Sequence, residues 1–145
     1  MIQRIQSLLL LLASASLGGT FALPYADSAE PIPGTLFADG YFSNADSTWL
    51  MGLLGLAAVA SAVAIFLYGN RKLQKNVTWV SALLTIAGIG FAVGFFMKQG
   101  EAMGTVAVDG EPGAVLPIAG AVLNILAARY INKDEKLVRS ADRLR

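Results

Sequence analysis

The chain has 145 residues, of which 55% are hydrophobic and 14% are charged, and its mean hydropathy is +0.59. Charged residues make up about a quarter of a typical soluble domain, so this composition excludes that class and favours an integral membrane protein. The net charge of +1 offers no basic surface for nucleic acid, and the absence of Cys and His excludes disulfides, thiolate nucleophiles, Cys/His metal sites and imidazole chemistry.

The first apolar segment, residues 5–23, is open to two interpretations. A single cation, Arg4, followed by a Leu-rich core and small residues at 13–15 is typical of a cleaved signal peptide. The same segment contains no charge and is long enough to span a bilayer, which favours a retained helix, although Gly18 and Gly19 weaken it. Both interpretations place the following loop on the outer side of the membrane.

The loop at residues 24–47 is predicted to be external. It contains four acidic residues and no Lys or Arg, which suits that side of the membrane. Its prolines favour extended backbone in its first half. In its second half, Asp39-Gly40 stands between residues 35–37 and Tyr41-Phe42, and Asp-Gly between β-forming residues predicts a β-hairpin.

Two apolar segments, residues 48–68 and 77–97, are predicted to form a transmembrane hairpin. Each is about 21 residues long, which at about 1.5 Å per residue covers the hydrocarbon thickness of a bilayer, about 30 Å. The intervening turn, residues 69–76, contains Arg71 and Lys75 among its three cations and no acid. The positive-inside rule therefore places this turn in the cytoplasm.

Small residues recur along the predicted helices, where they let neighbouring backbones approach closely. The predicted helix-packing positions are Gly52, Gly55, Ser61, Gly88, Gly90, Gly94, Gly120 and Asn124. Gly90 and Gly94 form a small-xxx-small pair, for which packing within the chain and homodimerisation are both open. Asn124 is the one strongly polar residue within the apolar part of the fourth segment, so we expect its amide to hydrogen-bond other helices.

The second outer loop, residues 98–113, is acidic apart from Lys98. Residues 105–108 are predicted to form a third strand, which pairs with the first loop in a small external sheet. A fourth transmembrane helix is predicted at residues 114–131, with Pro117 in its first turn, where the missing N–H does little harm.

The C-terminal tail, residues 132–145, contains no Gly or Pro, so the fourth helix is predicted to continue into it. Its apolar residues form one stripe, made of Leu137, Val138, Ala141 and Leu144. This stripe has two interpretations, both open: it rests on the membrane surface, or it docks a partner subunit.

The distribution of charge predicts the orientation of the whole chain. Every Lys and Arg except Lys98 falls in a segment predicted to be cytoplasmic, whereas most of the acids fall in the two outer loops. Both termini are therefore expected in the cytoplasm. The predicted fold class is all-α: a single membrane domain, residues 1–145, in which four transmembrane helices form a bundle and the outer loops form a small β-hairpin or sheet.

The two ends of the chain carry a family resemblance. The segments Met1-Ile2-Gln3-Arg4-Ile5-Gln6 and Lys133-Asp134-Glu135-Lys136-Leu137-Val138-Arg139-Ser140-Ala141-Asp142-Arg143-Leu144-Arg145 resemble the termini of an uncharacterised family of four-helix membrane proteins from Bacteroidota. The resemblance implies a bacterial inner-membrane protein whose first helix is not cleaved. It implies no activity.

Three functional hypotheses follow. The first is a non-catalytic accessory or assembly subunit of a larger inner-membrane complex, which contacts lipids and other membrane subunits through its helix faces and tail. The second hypothesis, kept as the alternative, is a small homo-oligomeric transporter or channel. It is less favoured because transport usually needs an ionisable group inside the membrane, and the apolar parts of the helices contain none. An enzyme is the third hypothesis, and its candidate groups are Asp27, Glu30, Asp39, Ser43 and Ser47. The favoured hypothesis involves no catalytic residue, cofactor, metal or nucleic acid.

Overall fold

The computed structural model describes residues 2–104 and 106–142, and within them four helices form a bundle. The helices are α1 (Ile2–Gly19), α2 (Thr48–Phe66), α3 (Arg71–Met103) and α4 (Val115–Asp142). α1 and α3 each pack against both α2 and α4, so the four helices form a ring in which neighbours run in opposite directions. The predicted mostly helical fold is confirmed.

Three short strands in the two longer loops cover one end of the bundle, called here the sheet end. They are β1 (Ala26–Ser28), β2 (Tyr41–Phe42) and β3 (Val108–Gly110). β1 lies in the middle and pairs antiparallel with both neighbours, giving the order β2-β1-β3. The prediction of a small sheet built from both loops is thus confirmed. The opposite end, where α4 runs on into the C-terminal segment, is called the tail end.

Three helical segments within the described residues are long and apolar enough to cross a membrane. They are Thr48–Phe66, Arg71–Gln99 and Pro112–Val138, the last of which includes the turn before α4. α1 is apolar over Ile5–Gly19 and is shorter than these three. Length and composition therefore suit a membrane protein.

α1 ends earlier than the prediction at residues 5–23. The helix stops at Gly19, and the next residues form a turn in which the Phe21 N–H donates to the Gly18 carbonyl at 3.1 Å. The Thr20 hydroxyl donates to the Leu17 carbonyl at 2.6 Å and so satisfies a group that the helix end leaves free. The two glycines therefore terminate the helix rather than merely weakening it.

The predicted turn at residues 69–76 is wrong for most of its length. The connection between α2 and α3 spans only residues 67–70, and α3 begins at Arg71. Asn70 caps the helix because its side-chain oxygen accepts a hydrogen bond from the Leu73 N–H at 3.1 Å. The charges at residues 71–75 therefore lie on the first turns of a helix and not in a loop.

α3 is also longer than predicted at its other end. It has 33 residues and continues past residue 97 to Met103, where Gly104 with φ +61° breaks the helix. Residues 98–103 contain no Pro, so the helix can continue through them. α4 is likewise a single helix that runs to Asp142, as the uninterrupted sequence predicts.

The predicted hairpin around Asp39-Gly40 is wrong, although Tyr41 and Phe42 are in a strand. Their partner is β1, with Ala26 opposite Phe42 and Asp27 opposite Tyr41. Residues 35–37 instead form turns, in which the Ile32 N–H donates to the Phe37 carbonyl at 2.8 Å. These turns insert Phe37 into the core, where it is fully buried.

The third strand is displaced from its predicted position at residues 105–108. β3 occupies Val108–Gly110, so Asp109 and Gly110 are paired with β1 and do not form a turn. Residue 105 lies outside the described residues.

Two groups of buried apolar side chains fill the bundle. The larger group lies at the sheet end, where the Phe37 ring packs edge-on against Phe42 and Phe96 at centroid distances of 6.5 and 6.2 Å. The smaller group lies towards the tail end and consists of Leu10, Ala64 and Ala127. Between these two groups the interior contains buried polar side chains, which form the candidate site.

Candidate functional site

A cluster of three polar side chains occupies the middle of the bundle. Ser61 of α2, Ser81 of α3 and Asn124 of α4 are all fully buried. The Asn124 amide nitrogen donates to the Ser81 hydroxyl at 3.0 Å, and the Ser61 hydroxyl lies 3.0 Å from the Asn124 amide oxygen. The two hydroxyl oxygens are 2.7 Å apart. Asn124 therefore points inward, as predicted, and joins three helices.

Hydrogen-bond geometry limits which acceptor each hydroxyl of this cluster can donate to. The Ser81 hydroxyl donates to the Ala57 backbone carbonyl at 2.8 Å. Since each hydroxyl carries one proton, Ser81 accepts from Asn124, and the one Ser61 proton goes either to Ser81 or to the Asn124 amide oxygen. All three side chains thus have partners, and buried polar groups without partners are costly. The cluster is neutral, so its evident chemical capacity is to fix the register of three helices.

Further buried polar groups lie along α3 on both sides of this cluster, with Thr85 towards the sheet end and Thr78 and Gln74 towards the tail end. The Thr85 and Thr78 hydroxyls each donate at 2.8 Å to the carbonyl four residues earlier in their own helix. The Gln74 amide nitrogen donates to the Ala64 carbonyl of α2 at 2.9 Å. The side-chain nitrogen of Gln6 on α1 is buried and has no hydrogen-bond partner among the described residues.

Three of the predicted packing glycines lie at close helix contacts. A Cβ atom built on Gly88 would lie 2.8 Å from Leu54, and one built on Gly120 would lie 2.8 Å from Leu17. The corresponding atom on Gly55 would lie 3.5 Å from the Phe21 ring. At the first two positions a side chain would force the facing leucine side chain to move.

The other three glycines face away from the bundle. No atom of the described chain that could obstruct a side chain lies within 4 Å of a Cβ built on Gly52, Gly90 or Gly94. Gly90 and Gly94 lie on a continuous outward face of α3, defined here as its outer face. Its members are Trp79, Leu83, Ile86, Ala87, Gly90, Gly94 and Met97, all of them exposed. Within the described chain this surface does not take part in helix packing.

A polar network ties the first loop to the end of α1. The Tyr25 hydroxyl donates to the Asn44 side-chain oxygen, and the Asn44 amide nitrogen donates to the Thr20 carbonyl at 3.0 Å and its hydroxyl at 2.9 Å. Burial raises the pKa of Tyr25 to about 12, an effect that hydrogen bonds with Thr20 and Asn44 partly offset. Tyr25 is therefore a neutral donor at physiological pH.

Gly113 makes the closest backbone approach in this region. A Cβ atom there would lie 2.0 Å from the Pro24 carbonyl oxygen and 2.7 Å from that of Leu23. The short turn at Pro112–Ala114 thus packs directly on the chain that leaves α1. Sequence analysis did not single out this contact, because Glu-Pro-Gly before a helix signals only a turn.

A crevice lies between α3 and α4 beneath the sheet. It has a volume of about 380 Å³, and its walls are almost entirely apolar. Residues of α2, α3, α4 and the sheet line it, among them Leu54, Ile89, Val93, Ile118 and Val108. We name this feature the α3–α4 crevice.

Two ion pairs hold α3 and α4 together at the tail end. The Arg71 Nε atom lies 2.9 Å from an Asp134 carboxylate oxygen, and the Lys75 Nζ atom lies 2.7 Å from a Glu135 oxygen. The first part of the predicted tail is therefore part of the bundle. Of the predicted docking stripe, Leu137 and Val138 are 49% and 39% exposed. The Ala141 side chain and Leu144 lie outside what the structure describes.

Two of the candidate enzymatic groups of the first loop, Asp39 and Ser43, have structural partners. An Asp39 carboxylate oxygen accepts a hydrogen bond from the Tyr41 N–H at 3.2 Å, and the Ser43 N–H donates to Asp46 at 2.6 Å. The Ser43 hydroxyl also accepts from the Ala45 N–H. Across residues 2–104 and 106–142, no group of three or more acidic residues is placed to hold a metal ion. These contacts are typical of turn and helix caps.

The chain matches the model of a family described as a domain of unknown function, DUF4293, over residues 2–144. No curated protein and no solved structure matches the chain.

Proposed function

We propose a structural role for this chain, which belongs to the DUF4293 family: it is a non-catalytic subunit of a larger inner-membrane complex. In this proposal all four helices span the bilayer, and both termini are cytoplasmic. Three helical segments have the length and composition for this, and the cations collect at the tail end.

The placement of α1 supports its retention as a fourth spanning helix. Its Leu10, Ala13 and Leu17 side chains are fully buried against the other helices, whereas Leu8 and Leu11 are more than half exposed. An apolar outward side suits contact with lipid, and a cleaved peptide would leave the bundle without one side of its core. A slightly short helix is accommodated by local thinning of the bilayer.

The observation that carries the subunit role is the outer face of α3. Gly90 and Gly94 lower the helix propensity of α3 by about 1 kcal/mol each relative to Ala, and the described chain does not use them for packing. Small residues four apart let a second transmembrane helix approach closely. We therefore assign this face to a transmembrane helix of another subunit.

The interior of the bundle supports a structural role over the alternative of a small homo-oligomeric transporter. The Ser61, Ser81 and Asn124 groups are fully buried and satisfy one another. Transport pathways usually present ionisable groups to a water-filled cavity. A sealed, neutral cluster instead suits a bundle that holds one fixed arrangement.

Gentle extraction from native membranes, followed by mass spectrometry of the intact particle, tests the proposal. We expect the wild-type chain to run with a second membrane protein, and the double variant Gly90→Leu, Gly94→Leu to lose it several-fold. Gly52→Leu is the matched control, because Gly52 also faces outward with free space around it. A wild-type chain recovered as a lone monomer would contradict the proposal, and recovery with only a second copy would replace it with a homodimer.

A further inference from the structure

We infer that the α3–α4 crevice binds one acyl chain of an outer-leaflet phospholipid whose headgroup carries an ammonium group. The inference depends on the membrane insertion proposed above and is independent of the subunit role.

The dimensions of the crevice suit a single ligand. Its volume of about 380 Å³ falls within the range of ligand sites, about 300 to 1,000 Å³. Ile89 of α3 and Pro117 of α4 form facing walls, and Leu54 of α2 closes the inner side. Protein interiors are otherwise close-packed, so a space of this size forfeits dispersion contacts unless something fills it.

Particular small residues keep the crevice open. Gly88 allows Leu54 to rest against the backbone of α3, since a Cβ there would lie 2.8 Å from the Leu54 side chain. Ala92 and Ala114 line the space where longer apolar side chains would fill it. The opening therefore results from residue size at defined positions.

The direction in which the crevice opens identifies its occupant as hydrocarbon. Val93 and Ile118 at its rim are 52% and 54% exposed, so the space communicates with the surroundings of the bundle between two membrane-spanning helices. At that depth the surrounding medium is lipid chains. Walls with almost no polar groups offer no partners for a peptide backbone or for water, whereas an acyl chain needs none.

The charges around the sheet select the headgroup. Asp109 lines the end of the crevice beneath the sheet, and the β1–β3 register places Asp27 directly opposite it. Their Cβ atoms are therefore about 5 Å apart. Lys98 lies two residues beyond the crevice residue Phe96, which places it on the opposite side of α3. An ammonium headgroup is attracted to this mouth and an anionic one is repelled.

Photolabelling by lipids in vesicles tests the inference. Vesicles of phosphatidylglycerol contain the full chain and a trace of either phosphatidylethanolamine or phosphatidylglycerol with a photoreactive group in its acyl chain. We expect the ethanolamine probe to label Ile89, Val93 and Ile118 several-fold more than the glycerol probe. Labelling of Leu83 and Ile86 on the outer face should be equal for both probes, because those residues contact bulk lipid.

A pair of variants on one helix separates the crevice from the general lipid surface. Ala92→Phe places a ring in the crevice and should abolish the excess labelling. Ala87→Phe is the same substitution on the outer face and should preserve it.

Equal labelling by the two probes, or crevice labelling no greater than that of the outer face, in the wild-type chain would overturn the inference. So would stronger crevice labelling by a trace isoprenoid-chain probe. Absence of labelling on every helix would mean that the chain does not enter the bilayer, so this result would refute the inference together with the membrane insertion it depends on. The comparison of the two probes on the wild-type chain tests the inference even if the Ala92→Phe variant does not fold.

Discussion

Asn124 shows how one residue can connect the sequence to the arrangement of the bundle. An amide within an apolar helix predicts an inward orientation, because lipid offers it no hydrogen-bond partner. Its partners, Ser61 and Ser81, could not be predicted, since they depend on how three helices are rotated against one another. The position was therefore readable from the sequence, whereas the network was not.

Replacement of Asn124 by Leu should destabilise the bundle by about 1 to 2 kcal/mol, because Ser81 loses a donor and Ser61 loses one of its two possible acceptors in a dry interior. Unfolding in mixed micelles of mild detergent and dodecyl sulfate measures the change. Val122→Ala, at a half-exposed position of the same helix, should cost less than about 1 kcal/mol. Equal losses for the two variants would argue against a special role for the cluster.

Tyr25 predicts a dependence of stability on alkaline pH. Its pKa of about 12 in the folded chain exceeds the ordinary value of 10.0, so the unfolded chain releases the phenol proton first. Stability should therefore be constant below about pH 10 and fall between about pH 10 and 12. Tyr25→Phe should remove part of that fall, whereas Tyr41→Phe, at an exposed position, should not. Parallel curves of unfolding free energy against pH for wild type and Tyr25→Phe would contradict this assignment.

Gly113 is the most sterically restricted glycine of the described chain. Gly113→Ala would bring a methyl group against the Pro24 and Leu23 carbonyls, which are backbone atoms and cannot rotate away. We expect a loss of about 1 to 3 kcal/mol, measured by thermal unfolding in detergent. Gly110→Ala, three residues earlier and in open space, should be close to neutral. Tolerance of Ala at 113 would show that the loop contact is not rigid.

At the scale of elements, the errors of sequence analysis have common physical causes. Charge and low hydrophobicity predict a loop at residues 69–76, but helix formation depends on capping and on the absence of Pro, and Asn70 supplies the cap. The hairpin was placed by local turn chemistry at Asp39-Gly40. The strand partner of Tyr41 comes from a distant segment, which no local pattern specifies.

The contact between the first turns of α3 and the end of α4 predicts a charge-swap result. Lys75→Glu should repel Glu135 and raise hydrogen exchange in residues 129–136, since the ion pair is partly buried. The double variant Lys75→Glu, Glu135→Lys should restore much of the protection. The effect on global stability should stay below about 1 kcal/mol, as for most partly exposed pairs. Unchanged exchange in the single variant would mean that the pair does not hold the two helices together.

At the scale of the whole molecule, the helical bundle follows from composition and apolar segment length. These signals are strong because the bilayer requires about 20 apolar residues per crossing and satisfied backbone groups throughout. Helix order around the ring, the α3–α4 crevice and the unused outer face of α3 did not follow, because they depend on side-chain packing between distant segments. The functional proposals rest on these packing features.

The central claim is that four helices cross the inner membrane, with both termini in the cytoplasm. Because the natural sequence contains no Cys, single-cysteine variants can report sidedness without background. We expect Asp39→Cys to react with a membrane-impermeant maleimide in spheroplasts with intact inner membranes, and Gln3→Cys and Lys136→Cys to react only after the membrane is permeabilised. Labelling of either terminal variant in intact spheroplasts, or loss of the Gln3→Cys segment from the mature chain, would contradict the account.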